Sequence, residues 1–522
     1  MAVDVLVVGA GTAGCVVTRR LLDAGLTVQL LEAGPEASHP AGAVATAEQE
    51  AIADPVRMHE LWDSEVDWGY RTVQQEHAHQ RTLHLPRGRV VGGSHALNGM
   101  IWVRGHPADY DTWAYLGNTG WSWADVQPVF RRVEAVQEVV SGYEPLPVQR
   151  AIVEAATQYG IPFNADYNSG TPDGVSFTQL TVRDGRRLTT AQAYLDPVRD
   201  NPRLRVTPSA RVNRLLLSGT RCVGVEWDTA GVRYREYAEQ VVLSAGALGS
   251  PLILQRSGVG DPELLRGLGI DVAVGLRGVG RNLSDHWLVP VVFGATREIL
   301  PPDGLPTCQS HLFWRSRPQL ASPDLQPVHF AVPLVAEWMT PPAYGFTLLA
   351  GLVRPASRGT VRIAAADPDR APLIDPRVLS APEDLDRLAT AVELCRAIGA
   401  QPALAEGWGA RERYPESLAA TPELARDYIR ETVLTYHHQA GTCAMGRHED
   451  AVVDPQLRVY GMSGLTVADA SVMPLVTTGN TNAPAAMIGE RAADFLLSTG
   501  PRSGASLATG SEEVPALGSA NA

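Results

Sequence analysis

His437 and His438 stand side by side in Tyr436-His437-His438-Gln439-Ala440-Gly441-Thr442, just ahead of a glycine turn. Imidazole can take a hydroxyl proton near neutral pH because its unperturbed pKa is about 6.5. A histidine pair also occurs as a buried hydrogen-bonded feature or as half of a metal site. No carboxylate at helix or strand spacing completes a metal triad here, so no metal is expected. Asn480 lies 42 residues further on and opens Gly479-Asn480-Thr481-Asn482-Ala483-Pro484. An asparagine there can donate to an alcohol oxygen while a histidine removes its proton. Beside glycine, Asn480 and Asn482 are also ordinary turn formers.

A second kind of chemistry sits at the opposite end. Val5–Val8 is an apolar run short enough for a buried parallel strand. Gly9, Gly11 and Gly14 follow as G-x-G-x-x-G and lead into a helix. The first glycine makes the tight turn, the second lets the backbone approach a pyrophosphate, and the third lets helix and sheet pack closely. The N–H groups at the start of that helix have no intrahelical partners and suit an anion. Thr27–Leu31 reads as the second strand. Glu32 at its end, 18 residues past Gly14, can accept from ribose hydroxyls and disfavours a 2′-phosphate. This stretch predicts a dinucleotide without saying which.

The rest of the chain must carry one end to the other. At 522 residues with 45% hydrophobic and 19% charged residues, it is an ordinary globular protein of two to four domain-sized units. The net charge of −13 argues against nucleic-acid or anionic-membrane partners. All 44 basic residues are arginine, which excludes Schiff-base lysine, pyridoxal-phosphate and P-loop lysine chemistry. The five cysteines, Cys15, Cys222, Cys308, Cys395 and Cys443, are scattered and suggest neither disulfides nor zinc. No secretory signal or membrane-spanning run of about 18 apolar residues is visible, so a cytoplasmic location is expected.

Buried-strand signals occur at Val5–Val8, at Gln240–Ser244 and again at Gly464–Ala470. Leu204–Val206, Val212–Leu217, Val223–Trp227 and Tyr234–Tyr237 alternate as a meander. From about Trp287 to Ala364 longer alternating segments predict an antiparallel sheet, and the final helix spans Pro484–Leu497. The fold class is therefore α/β (α+β overall). A Rossmann-type nucleotide domain is assembled from residues 1–150, 196–286 and 440–497, with a substrate domain from 151–195 and 287–439 on an antiparallel sheet. Residues 498–522 are Ser-, Gly- and Ala-rich and are expected to be disordered. Only one complete fingerprint leads into a helix, which weighs against a protein binding FAD and NAD(P)H through two Rossmann units.

The ordered set GAGTAG with LEAGP, GRVVGGSHALNGMIWVRG, SAGALGSPLILQRSGVG, GVGRNLSDH, YHHQAGTCAMG, GLTVADASVMP and GNTNAPAAMIGERAAD resembles the glucose–methanol–choline oxidoreductase family from Val3 to Leu497. Within it the chain is most similar to bacterial choline-dehydrogenase-like and aryl- or furfuryl-alcohol-oxidase-like members. The resemblance implies FAD as cofactor and oxidation of a primary alcohol to an aldehyde, with hydride passing to flavin N5. It selects His438 over His437 as the base and Asn480 as its partner. It places Gly9, Gly11, Thr12, Ala13, Gly14, Glu32 and Ala33 at the ADP half of FAD, and Gly92, Gly93 and Asn98 at the flavin. Val212 falls at the adenine, and Asp469 and Ala470 fall near the ribityl chain and pyrophosphate. Leu97 occupies the position where some members link FAD through histidine, so the flavin is expected to be noncovalent. O2 or another acceptor would take the electrons on. Some relatives keep FAD without net redox and cleave cyanohydrins; that lyase chemistry is the alternative. His95 is expected to serve local packing, and Trp102 and Trp113 to lie in the core.

Overall fold

The computed structural model describes residues 3–36, 46–499 and 512–513. A five-stranded, fully parallel sheet collects its strands from across the chain: β1 (Val5–Val8), β2 (Val28–Leu31), β3 (Leu204–Thr207), β4 (Gln240–Leu243) and β5 (Leu465–Val467). Their spatial order is β5-β4-β1-β2-β3. Helix α1 (Thr12–Asp23) follows β1, α2 (Gly246–Arg256) follows β4, and α3 (Asn482–Thr499) ends the unit. β1 is buried along its whole length, which accounts for its unbroken valine and leucine run. A Cβ on Gly489 of α3 would lie 2.7 Å from the Ala13 carbonyl oxygen, so α1 and α3 meet backbone to backbone.

β3 corrects the reading of Leu204–Val206 as a meander strand. Its partner is β2, in parallel register from Val28↔Leu204 to Leu31↔Thr207. The alternation that suggested a meander reflects an edge position, where only one side of the strand is covered. Arg211–Ser218, Arg221–Thr229 and Val232–Tyr237 do form an antiparallel sheet. Glu512–Glu513 add a short strand on its edge, and α3 runs to Thr499. Those positions depart from the disordered tail expected from residue 498; the rest of that segment lies outside the described residues.

The second large sheet is antiparallel and seven-stranded. Its main path runs Arg411–Tyr414, Trp287–Gly294, Gly345–Leu352, Val328–Phe330, Cys308–Phe313, Gly174–Phe177, with Leu434–Thr435 paired to Trp287–Leu288. Its central strands are buried on both faces. Trp287, Val289, Val291 and Phe293 pack with Phe346, Leu348 and Ala350 against the helices Pro147–Gln158 and Pro382–Gly399. The intervening Leu288 and Leu349 turn the other way, into a cluster with Met58, Met100, Phe330 and Tyr436. This opposite face looks toward the parallel sheet's unit, and the cavity described below lies there. Trp102 and Trp113 are fully buried, as expected. Among the described residues, no helix is long and apolar enough to cross a membrane.

Candidate active site

A cavity of about 980 Å³ runs from Gly9, Glu32 and Val212 to His438 and Asn480. At one end lies the glycine turn. Gly9 has φ +99°, and a Cβ there would stand 2.5 Å from the Ser244 carbonyl oxygen. A Cβ on Gly14 would lie 2.0 Å from the Gly9 oxygen, whereas one on Gly11 would meet nothing closer than Gly93 Cα at 3.9 Å. The third glycine therefore closes the turn, and the second leaves open space beside the N-terminus of α1. That helix start has no side-chain cap and no acid in its first turn, so its N–H groups remain available to an anion.

Glu32 is buried, and its two carboxylate oxygens accept from Ala10 N at 2.8 Å and Gly34 N at 2.9 Å. Burial pushes its pKa up to about 7 against these two bonds and the nearby Arg89 charge. Ala210 N donates to the Glu32 carbonyl at 2.7 Å, which brings Val212 to the same end of the cavity. Thr12, Ala13 and Ala33 also line the cavity. Gly14 and Gly92 do not: Gly14 is packed against the turn, and the Gly92 N–H holds the Ala10 carbonyl at 2.8 Å. Gly93 follows with φ +54°, and a Cβ there would meet Gly11 Cα at 2.6 Å. These two glycine segments thus touch, which joins the expected flavin and ADP ends.

Asn98 faces the cavity while its Oδ1 accepts from Met100 N at 2.9 Å and from Arg187 at 3.0 Å. Arg187 is wholly buried, and burial pushes it down to about 9. It also donates to the carbonyls of Ile52 and His95, so it braces the loop carrying Asn98. His95 makes the packing contacts expected of it. Its Nδ1 accepts from Thr190 N at 3.1 Å, and its Nε2 lies 3.0 Å from Thr181 Oγ1. Asp469 links two segments: it accepts from Gly246 N and Ser250 Oγ at the start of α2, and from Ser471 N of its own turn. Ala470 adjoins it on the cavity wall.

The other end is built by an antiparallel zipper. Leu434–Thr435 pairs with Trp287–Leu288, Tyr436 N donates to the His286 carbonyl at 2.9 Å, and Ser284 and Ala440 exchange two backbone bonds. His437 is the irregular residue, with φ +66°. Asp285 holds the loop from inside. Its Oδ1 accepts from His438 N at 2.9 Å, and its Oδ2 accepts from Thr435 Oγ1 and Gln439 Nε2. Burial pushes the Asp285 carboxyl up to about 6.

His438 is held at both ring nitrogens. Nδ1 lies 3.0 Å from His286 Nδ1, and Nε2 lies 3.3 Å from Asn480 Nδ2. Asn480 Oδ1 accepts from Gln326 Nε2 at 3.1 Å, which turns its amide N–H toward His438. The Tyr436 ring stacks on the His438 ring at 4.6 Å. Burial, then the neighbouring histidines and Arg87, push the His438 pKa well below its ordinary value, so the ring is neutral at pH 7. Arg87 donates to the His437 carbonyl. Asn480 stands just before α3, and Asn482 Oδ1 accepts from Thr12 Oγ1 at 2.6 Å. The glycine turn and the asparagine loop are therefore tied directly together, although 470 residues separate Thr12 from Asn482.

Four contributors escaped sequence reasoning. Asp285 and His286 sit in the quoted GVGRNLSDH, where an acid and an imidazole side by side were the available signal. Gln326 carries no motif, and Arg87 lies in LPRGRVVGG among glycines that drew the attention. The cavity wall near His437 also draws on Met58, His59 and Trp62, outside the 151–195 and 287–439 segments expected to form the substrate domain. The helical turn Met58–Leu61 carries them there.

The GMC oxidoreductase family matches residues 3–288 and again residues 355–489. An uncharacterized GMC-type oxidoreductase of Mycobacterium tuberculosis is 39% identical, the match covering 95% of this chain and 99% of that protein. The mitochondrial choline dehydrogenase of Mus musculus is 38% identical, covering 94% and 89% respectively. The crystal structure of pyridoxine 4-oxidase from Mesorbium loti superimposes with a TM-score of 0.87 at 34% identity, over 94% of this chain and 98% of that one. The chain belongs to the GMC oxidoreductase family and is an FAD-binding oxidoreductase acting on CH–OH donors.

Proposed function

We propose that this chain oxidises a primary alcohol on an uncharged aromatic or heteroaromatic ring to the aldehyde, with His438 as base and Asn480 as its partner. The observation carrying this reading is a buried His438 whose Nε2 lies 3.3 Å from the amide nitrogen of Asn480, both residues lining the cavity. An alcohol oxygen seated between them would donate its proton to Nε2 and accept from Asn480 Nδ2. His438 takes up the proton as the carbinol C–H bond breaks, and the amide N–H favours the negative charge developing on oxygen. FAD, when bound, supplies the acceptor for the hydride. Gly9, Gly11, Thr12, Ala13 and Glu32 would hold its ADP half; Gly93 and Asn98 would flank the flavin. Leu97 offers no nucleophile for a covalent link, and both nitrogens of His95 are engaged elsewhere, which favours noncovalent attachment. Residues of the parallel-sheet unit would thus hold the cofactor, and the antiparallel sheet would shape the substrate.

The wall beyond His438 supports the substrate class. Trp62, Met58, Phe330, Leu334, Leu434 and Tyr436 pack together there, and the Trp62 ring lies 5.0 Å from that of His437. The acids lining the cavity are Glu32, Asp369 and Asp469. Glu32 and Asp469 hold backbone N–H groups near the glycine turn and α2, and Asp369 pairs with Arg211 beside Val212. All three belong to the cofactor end, so a quaternary ammonium would find aromatic faces but no counter-charge.

Anaerobic flavin bleaching across benzylic, furfuryl, pyridine-carbinol, choline and sugar alcohols tests this reading. Aromatic carbinols are expected to bleach the flavin fastest. No bleaching by any alcohol would remove the redox reading, and choline as the best substrate would remove the substrate class. His438→Ala should slow reduction by about 10²-fold or more, and Asn480→Ala less. Oxygen consumption on any hit then separates O2 from another small-molecule acceptor.

A further inference from the structure

We infer that His286 is the positioning residue that sets the tautomer of His438 and receives its Nδ1 proton bond while His438 carries the substrate proton. The inference rests on the proposed role of His438 and goes beyond it. A neutral imidazole has one N–H and one bare nitrogen, and the imidazolium has two N–H groups. His438 can accept a proton only at a bare nitrogen, and only Nε2 adjoins Asn480. The amide orientation set by Gln326 directs an N–H of Asn480 at Nε2, which requires that nitrogen to be bare. The ring proton then resides on Nδ1, 3.0 Å from His286 Nδ1. His286 must accept at Nδ1 and carry its own proton on Nε2.

The surroundings of His286 agree with that assignment. Its ring is fully buried and lies at 83° to the His438 ring, with the two Nδ1 atoms 3.0 Å apart. Nε2 makes no well-formed hydrogen bond, but backbone acceptors of Thr477 and Val353 lie beside the ring and favour a proton on it. Arg354 and Arg358 add positive charge nearby, and burial pushes His286 down to about 3. A neutral His286 is therefore available as an acceptor throughout the working pH range. Many catalytic histidines meet a carboxylate at this position; here the adjacent carboxylate of Asp285 accepts from the backbone N–H of His438 instead. A neutral acceptor orients the base without storing the proton, so the imidazolium remains a short-lived state.

The test uses the FAD-loaded protein labelled with ¹⁵N-histidine, together with His286→Asn and His286→Leu. Asparagine keeps a carbonyl acceptor near the Nδ1 position, and leucine keeps bulk without one. Wild-type His438 is expected to show Nδ1–H with bare Nε2, its signals assigned by their loss in His438→Ala. His286→Leu should slow anaerobic flavin reduction by about 10- to 100-fold, the scale of one hydrogen bond to a charged group, and mix the His438 tautomers. His286→Asn should stay within about threefold of wild type. An Nε2–H tautomer in the wild type overturns the inference, and this measurement stands even where a variant fails to fold. Equal losses in the Asn and Leu variants, with an unchanged tautomer, reduce His286 to packing. Wild-type reduction by His438→Ala would instead overturn the function reading on which the inference depends.

Discussion

Asp285→Asn separates the demands of folding from those of the site. The carboxylate binds His438 N, Thr435 Oγ1 and Gln439 Nε2, and it is wholly buried. Burial outweighs these three bonds and lifts its pKa from 3.8 to about 6. Holding this carboxylate ionised in the fold at pH 7 consequently lowers stability by about 3 kcal/mol compared with a carboxyl of ordinary pKa, at 1.36 kcal/mol per pKa unit. An amide of the same shape removes that penalty. It also turns an N–H toward two donors: Gln439, whose Oε1 has no partner among the described residues, can rotate and offer that oxygen to the Thr435 hydroxyl, which then loses a bond to a charged acceptor and keeps only a neutral one. One lost bond to a charged group costs about 1.5–3 kcal/mol. The two effects nearly cancel, so the melting temperature should stay level or rise slightly. Activity should not be spared, because His438 N loses its charge-assisted anchor and the ring loses its register with Asn480. Flavin reduction should fall by about 10- to 100-fold. In the wild type, protonating Asp285 produces the same loss, so reduction should fall as pH drops through about 6. In Asp285→Asn that limb should vanish. Stopped-flow reduction from pH 5 to 8 beside a thermal melt reads both. A steep melting loss at full activity, or an acid limb surviving in the variant, would refute the reasoning.

Three further outcomes follow from the geometry. Gly14→Ala places a Cβ 2.0 Å from the Gly9 oxygen and should destabilise the fold by about 1–3 kcal/mol or more. Gly11→Ala meets open space and should leave the apoprotein melt unchanged while weakening FAD retention, measured by flavin absorbance after gel filtration; the same defect in both variants would contradict the division of labour. Gln326→Leu removes the donor that orients Asn480 and should lower flavin reduction by about 5- to 20-fold with FAD still bound; an unchanged rate would show that Asn480 orients itself. His95, His286, His311, His329 and His437 are each pushed down to about 3 by burial. Between about pH 6.5 and 3 the unfolded chain binds protons at these sites that the folded chain refuses, so stability falls as pH drops through that window. At pH 5 each histidine gives up about 2 kcal/mol, and a denaturation midpoint that held level from pH 7 to 5 would overturn these directions.

What was legible in the sequence follows the range of the forces involved. β1, the glycine turn and α1 are local, because an apolar run, three glycines at fixed spacing and a helical pattern dictate them within 23 residues of the start. The two-sided antiparallel strands were legible as a sheet because β-branched and aromatic runs recur there. Their edge partners Gly174–Phe177 and Arg411–Tyr414 were not, since short strands at a border carry little pattern of their own. β3 was misassigned for a related reason: a strand covered on one side alternates in the same way whether its neighbour is parallel or antiparallel.

The same distinction divides the site. His438 and Asn480 were named through the family's motifs, which the resemblance singles out, but the groups that contact them come from other elements. Asp285 and His286 arrive from just before the strand Trp287–Gly294, and Gln326 from just before the strand Val328–Phe330. No spacing rule relates these residues, because what joins them is the pairing of residues 434–440 with 284–288 across the fold. The proposed base and its partner could therefore be named from one dimension. In the inferred arrangement, the nitrogen that carries the proton is decided by a second imidazole, 152 residues away in sequence and 3.0 Å away in space. Sequence motifs thus pointed to the groups proposed to react, while register between distant strands sets which neighbours hold them.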